Sequence, residues 1–409
     1  MALTIIGVGE AGVSALGAQA KASIRAGQLI IAAPRFHDGV MAVKPGATIE
    51  NWPSPFSDIY DLIAARHGQN IVVLATGDPM WFGAGASLIA HFGAEECEVM
   101  PGVSGFQMAA ARMGWPLSGC ETLTVHGRPV NALIPRLYPR GRLLVIGQDE
   151  TTPAKIAALL CEHGYGQSQM SVLASVGGDQ EQRFDITANA VGDQIFPPFH
   201  IIAIACPANA PRESVVALPD SAFENDGKLT KRDVRASAIA KLAPFPGAVM
   251  WDVGSGSGAV AIDFLRNAPR GKAFAIDRNA DQIAMAERNA LQNGVVSLHS
   301  IAVDVAANTA ALTDLPQPDA IFIGGGLSVQ VIEQCQAALR PGGVLVAHAV
   351  TLESEQTLMG VWQATGGAMA RLSMHHADPV GAFHGWRPFM PVTQLCWHKT
   401  MDEGSNGQR

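Results

Sequence analysis

The chain of 409 residues is poor in charge and poorer in aromatics: Asp, Glu, Lys and Arg make up 16% and Phe, Trp and Tyr 6%. It has no excess of positive charge, since 28 Lys and Arg stand against 36 Asp and Glu, a net charge of −8. That argues against nucleic acid as the main partner, and an anionic ligand would need a local basic pocket. The six cysteines lie far apart with no Cys-x-x-Cys, which indicates neither a zinc site nor a disulfide framework, so no metal is expected. No run of about 18 apolar residues occurs and no signal-peptide pattern is read. No membrane partner is therefore expected, and the cytoplasm is the expected compartment. What is abundant is apolar residues, 48%, and glycine, 43 in all. This composition fits large cores with close helix–sheet packing, and the length implies two or three domains.

Glycine turns carry the chemistry. In the second half, an apolar strand runs into Trp251-Asp252-Val253-Gly254-Ser255-Gly256-Ser257-Gly258, and a helical pattern leaves it. Such a turn aims backbone N–H groups and a helix N-terminus at a ligand. An acid two places before the first glycine fits a fold holding S-adenosylmethionine (AdoMet), with Asp252 facing the sulfonium and amino group. The next strand ends at Asp277-Arg278-Asn279, with the acid placed to hold a ribose diol. A further strand ends at Asp304, within reach of the adenine, and another at Gly324-Gly325-Gly326. These features follow the order and spacing of a class I AdoMet methyltransferase. The last loop lacks the Asn/Asp-Pro-Pro-Tyr/Phe run frequent in methyltransferases of amino groups. Just upstream, Thr230 is placed to cap a helix that carries Lys231, Arg232 and Arg235 in its first turns, against the helix dipole. A solvated face and an anion site are both open readings of these cations.

The first half repeats the strand–glycine–helix theme. Gly7-x-Gly9-x-x-Gly12 imitates a dinucleotide fingerprint, but the next strand ends in Ala33-Pro34-Arg35, where a ribose-binding acid would be needed. Later strands end in Thr76-Gly77-Asp78-Pro79, in Pro101-Gly102-Val103-Ser104-Gly105, and in His126-Gly127-Arg128. Successive glycine turns that each open a helix fit one ligand crevice. Pro207-Ala-Asn-Ala-Pro211 reads as a linker. The expected layout is a first domain over 1–206, a linker over 207–215, a second domain over 216–398 and a flexible tail over 399–409.

The first half resembles the class III tetrapyrrole methyltransferases through Ile5-Ile6-Gly7-Val8-Gly9, Thr76-Gly77-Asp78-Pro79, Pro101-Gly102-Val103-Ser104-Gly105 and His126-Gly127-Arg128. The second resembles the class I methyltransferases of precorrin rings through Leu229-Thr230-Lys231-Arg232-Asp233-Val234-Arg235, the glycine turn and Ala275-Ile276-Asp277-Arg278-Asn279. Their fusion in this order resembles the decarboxylating precorrin-6Y methyltransferases of the aerobic cobalamin pathway. The fold implied is α/β throughout, a two-lobed class III tetrapyrrole methyltransferase fold followed by a Rossmann-like class I AdoMet methyltransferase domain. The activity implied is methylation of two bridging (meso) carbons, 5 and 15, of precorrin-6B, with loss of the ring C acetate carboxyl, giving precorrin-8X.

The resemblance further implies two AdoMet sites. Gly77, Asp78, Pro79 and Ser104 would form the first. Thr230, Gly254, Ser255, Gly256, Ser257, Gly258, Asp277, Asp304 and Val305 would form the second, with Asp252. A homo-oligomer is implied as well. Substrate carboxylates call for charge-assisted bonds, ideally from arginine forks, and Arg128, Lys231, Arg235 and Arg387 are the candidates. His375, His376 and His384 fall in a Gly/Pro-bearing loop region. No residue is marked as a general base. Glu10 stands where many class III members have proline, and its role is open. Three other readings stay open here: an RNA methyltransferase, an oxidoreductase, and a first half that only carries the macrocycle.

Overall fold

The computed structural model describes residues 2–212 and 216–400. The chain divides into two compact units, and the main break falls between Pro211 and Arg212. Residues 213–215 of the expected linker lie outside the described residues, as does the expected tail from 401 on. The stretch from Pro207 to Pro211 is fastened to the first unit. The Arg140 N–H donates to the Pro207 carbonyl at 3.3 Å, and the Tyr165 hydroxyl donates to the Pro211 carbonyl at 2.8 Å. Lys399 is likewise anchored, its Nζ donating to the carbonyls of Ala337 and Leu339 at 2.8 and 2.7 Å.

The first unit has two five-stranded sheets. One is wholly parallel, in the order Ile49–Glu50, Leu29–Ile31, Asn70–Thr76, Ala2–Val8, Cys97–Met100. Its strands are apolar on both faces because helices cover both, giving two core clusters around Ile6, Val72 and Leu74 and around Ile5, Ile71 and Val73. The second sheet runs Glu121–Thr124, Arg142–Ile146, His200–Ala205, Gln169–Ala174, Gln182–Thr187 and is antiparallel except for its first pair. The helix Gly105–Met113 leaves the first sheet and packs Phe106, Ala109 and Ala110 on Leu144, Leu173 and Ile201 of the second.

The second unit is a seven-stranded sheet in the order Leu298–Ala302, Lys272–Asp277, Val249–Val253, Ala320–Ile323, Val344–Ala349, Val392–His398, Ala368–Leu372. All strands are parallel except Val392–His398, which runs antiparallel to both neighbours. Strand order reverses between Val249–Val253 and Ala320–Ile323, and α/β ligands bind at such a switch point. Among the described residues, no helix is long and apolar enough to cross a membrane.

Two elements differ from expectation. Residues 375–388 form a two-stranded hairpin, His375–Val380 with Phe383–Pro388. Gly381, at φ 60°, lies in the connection between its strands. The helix Leu352–Thr365 is not anticipated, although Thr351 caps it by accepting the Ser354 N–H and Glu353 and Glu355 occupy its first turn.

Candidate active sites

At the switch point of the second unit, Gly254, Gly256 and Gly258 have φ of 68, 53 and 75°. That left-handed backbone lets the turn fold over the strand end. A methyl group on Gly254 would lie 2.5 Å from the Gly325 nitrogen, so the two glycine loops meet backbone to backbone. A cavity of about 410 Å³ opens here, and its wall includes Thr230, Gly254, Ser255, Gly256, Ser257, Asp277, Asp304 and Val305. Asp277 closes the turn: its Oδ2 accepts the Gly256 N–H and its Oδ1 the Asn279 N–H, each at 3.0 Å. Asp304 Oδ1 accepts the Ala306 N–H at 3.0 Å. The Ser255 hydroxyl is buried without a hydrogen-bond partner among the described residues. Gly258 falls outside this wall; it packs on Ala286 instead, a methyl group there meeting the Ala286 Cβ at 2.8 Å.

Asp252 does not face the cavity, which corrects the expectation. Side chains alternate along a strand. Val249, Trp251 and Val253 enter one core cluster and Met250 the other, among the residues of the helix Ala259–Asn267. Asp252 shares the Met250 face, is 1% exposed, and its Oδ2 accepts the Ala261 N–H at 3.1 Å. Burial, with a lesser push from the Asp277 charge and against the Ala261 hydrogen bond, raises its pKa to about 7.

Arg235 is a second correction. Its side chain is 0% exposed, so no substrate carboxylate reaches it. Its Nε donates to Asp263 Oδ2 at 2.7 Å, Nη1 to Asp220 Oδ1 at 3.0 Å and to the Thr230 carbonyl at 2.6 Å, and Nη2 to the Leu218 carbonyl at 2.6 Å. Thr230 is thus not a helix cap. The helix starts at Arg232 after Lys231 without a side-chain cap, and Thr230 is held by its carbonyl on the cavity wall. Lys231 and Arg387 also stand off the wall. Lys231 Nζ lies 3.8 Å from Asp220 Oδ2, and Arg387 pairs with Asp378 Oδ2 at 3.4 Å on the exposed hairpin. His376 Nε2 meets Asp233 Oδ2 at 3.2 Å. Asp226, Arg278 and Gln282 line the cavity without having been singled out from sequence; the run Asp277-Arg278-Asn279 was the available signal for Arg278.

In the first unit, three glycine turns converge. A methyl group on Gly7 would lie 2.5 Å from both the Gly102 nitrogen and the Gly77 carbonyl oxygen. Gly77, Asp78 and Ser104 line a cavity of about 780 Å³ at these strand ends. Asp78 Oδ1 accepts the Met80 N–H at 2.8 Å. Ser104 caps its helix in a capping box with Gln107. Pro79 stands off the wall; its carbonyl accepts the Gly85 N–H at 2.9 Å and supports the loop from behind. Arg128 is exposed and outside the cavity. Arg35, just past the strand end where a dinucleotide fold would carry an acid, lines the cavity instead, and so does Glu10.

Known proteins show the same two-part plan. A family described as Tetrapyrrole (Corrin/Porphyrin) Methylases matches residues 2–191, and one described as Precorrin methyltransferase domain matches 221–399. A precorrin-6Y C(5,15)-methyltransferase [decarboxylating] of Sinorhizobium sp is 38% identical, over 97% of this chain and 96% of its own. The chain belongs to this family of fused methyltransferases. A relative of the same description from Mycobacterium tuberculosis (strain CDC 1551 / Oshkosh) is 35% identical over 96% of this chain and 98% of its own. A crystal structure of the C-terminal domain of precorrin-6Y C5,15-methyltransferase from Rhodobacter capsulatus is 37% identical and covers 46% of this chain and 100% of that one, with a TM-score of 0.42. As a member of the family the chain is a methyltransferase of corrin biosynthesis. The oxidoreductase reading falls with this membership.

Proposed function

We propose that the chain methylates two bridging carbons of precorrin-6B, removes the ring C acetate carboxyl as carbon dioxide, and so makes precorrin-8X in cobalamin biosynthesis. The observation that carries this is the presence of a strand-end cavity in each unit, at Gly77–Ser104 and at Gly254–Asp304. The near-complete match to a decarboxylating relative supports it. Each cavity would hold one AdoMet, and the first unit would methylate one bridge while the second methylates the other and decarboxylates.

The residues of the second cavity fit such a ligand. Asp277 keeps acceptor capacity beyond its two backbone donors, and the unpartnered Ser255 hydroxyl lies at the turn. AdoMet supplies an electrophilic methyl on a sulfonium. The protein must align the bridging carbon with that methyl and keep water out. Thr230, pinned by Arg235, fixes one wall for this purpose. In the decarboxylation the bond from the acetate methylene to its carboxyl breaks, carbon dioxide leaves, the electron pair passes into the conjugated ring, and a proton returns to the carbon.

The experiment is calorimetry of S-adenosylhomocysteine binding to the full chain. Two equivalents support the reading, and one equivalent refutes the assignment of a donor site to each unit. A first unit that only carries the macrocycle has no need of the close-packed Gly7, Gly77 and Gly102 turns. An RNA substrate has no support from the relatives, whose names specify precorrin.

A further inference from the structure

We propose that Arg35, backed by the Phe199 ring, anchors a peripheral carboxylate of the macrocycle in the first unit; the proposal rests on the reading of that unit as a tetrapyrrole methyltransferase. A precorrin carries several carboxylates on its rim, yet the wall of the 780 Å³ cavity is rich in acids: Glu10, Asp78, Asp149 and Glu150. Arg35 is the one Arg or Lys among the described wall residues. Of the Asp, Glu, Arg and Lys side chains on this wall, only this guanidinium attracts a polyanion.

Arg35 is held ready. Its Nη1 donates to Glu10 Oε2 at 2.7 Å and its Nη2 to Thr76 Oγ1 at 2.9 Å. Thr76 directly precedes Gly77 and Asp78, so the cation is tied to the donor loop. Among the described residues only these two bonds engage a group that has five N–H donors, leaving an edge for a second carboxylate. The guanidinium lies 5.1 Å from the Phe199 ring centroid and 4.7 Å from that of Phe36, so its plane is braced by aromatic contact.

The aromatic residues themselves point to a ligand. Phe199 is 70% exposed and Phe82 48%, and both line the cavity. Their φ angles are 56 and 55°, a conformation that is strained for a bulky side chain. Glycine would satisfy either turn without strain. Keeping phenylalanine there, with its ring in the open, sets flat apolar faces against the cavity where a conjugated macrocycle can stack.

The test titrates the tetrapyrrole substrate into the full chain with S-adenosylhomocysteine present, reading macrocycle absorption, and measures KM and kcat for each methylation. Arg35→Met should weaken one class of macrocycle sites, and raise KM for one methylation, by about tenfold or more, the loss of one charge-assisted contact. kcat should hold, because the lost contact is a binding contact. Arg35→Lys should restore part of the affinity, a point charge replacing the fork. Phe199→Gly should fold at least as stably as wild type yet bind the macrocycle more weakly, an outcome that a merely structural phenylalanine would not give. Unchanged macrocycle affinity in Arg35→Met, or unchanged affinity in Phe199→Gly should Arg35→Met fail to fold, overturns the proposal. So does loss of S-adenosylhomocysteine binding with macrocycle affinity intact. A wild type that transfers a single methyl group and still releases carbon dioxide would instead count against the first unit's assignment, and the macrocycle titration still reads Arg35 separately.

Discussion

Arg235 and Asp263 form an ion pair sealed inside the second unit, Nε to Oδ2 at 2.7 Å with 0% and 1% of the two side chains exposed. The same guanidinium grips the carbonyls of Leu218 and Thr230, so it ties the segment leading into the domain to the wall of the donor cavity. Removing one partner leaves the other charge buried. Arg235→Met should therefore cost about 3–5 kcal/mol of unfolding free energy, measured by urea denaturation, and should weaken S-adenosylhomocysteine binding at the second site. A loss below about 1 kcal/mol, the range of exposed pairs, would contradict the buried clamp.

Asp252 gives a pH signature. Its pKa is raised from 3.8 to about 7 in the folded protein, chiefly by burial. Between those values the folded state binds more protons than the unfolded state, so this group's contribution makes stability fall as pH rises through that window. Asp252→Asn keeps an acceptor for the Ala261 N–H and carries no charge. Its unfolding free energy should be flatter with pH across the same window and should exceed wild type above pH 7. Equal pH slopes in variant and wild type would sink this account.

Gly7, Gly77 and Gly102 touch backbone to backbone, and a methyl on Gly7 has atoms of both partners at 2.5 Å. Gly7→Ala should destabilise the first unit by about 1–3 kcal/mol or more, as overpacking does. Calorimetry should then find one S-adenosylhomocysteine site, that of the second unit. Two intact sites would mean that the glycine contact does not shape the first.

Asp277 bridges the glycine turn and the following helix. Asp277→Ala should abolish binding at the second site and with it one methylation and the decarboxylation, leaving the other methylation. Mass spectrometry of the product checks this, and retained loss of carbon dioxide would remove the second unit from that step.

Strand–turn–helix units were legible because glycine marks backbone that other residues strain to adopt; the turns at Gly77, Gly102 and Gly254 all fall where the sequence put them. Roles of charged residues were less legible. Arg235 read as a ligand-binding cation because its acid partner, Asp263, lies 28 residues on across the packing of two helices. Asp252 read as a cavity acid, but the alternation of its strand turns it toward the helix beneath. Arg35 was visible only as a missing acid after a strand, and its pairing with Glu10 depends on a contact 25 residues apart. The hairpin over 375–388 lacks the one-sided apolar alternation that marks a half-buried strand, since most of its residues are exposed on both faces, so it read as loop.

Two methyl-transfer sites and a decarboxylation in one chain fix the mass of its product. The most direct measurement is the mass of the product formed by the full chain from precorrin-6B and excess AdoMet. The expected product is a macrocycle that has gained two methyl groups and lost one carbon dioxide. A product that has gained a single methyl group at exhaustion of the substrate would contradict that expectation.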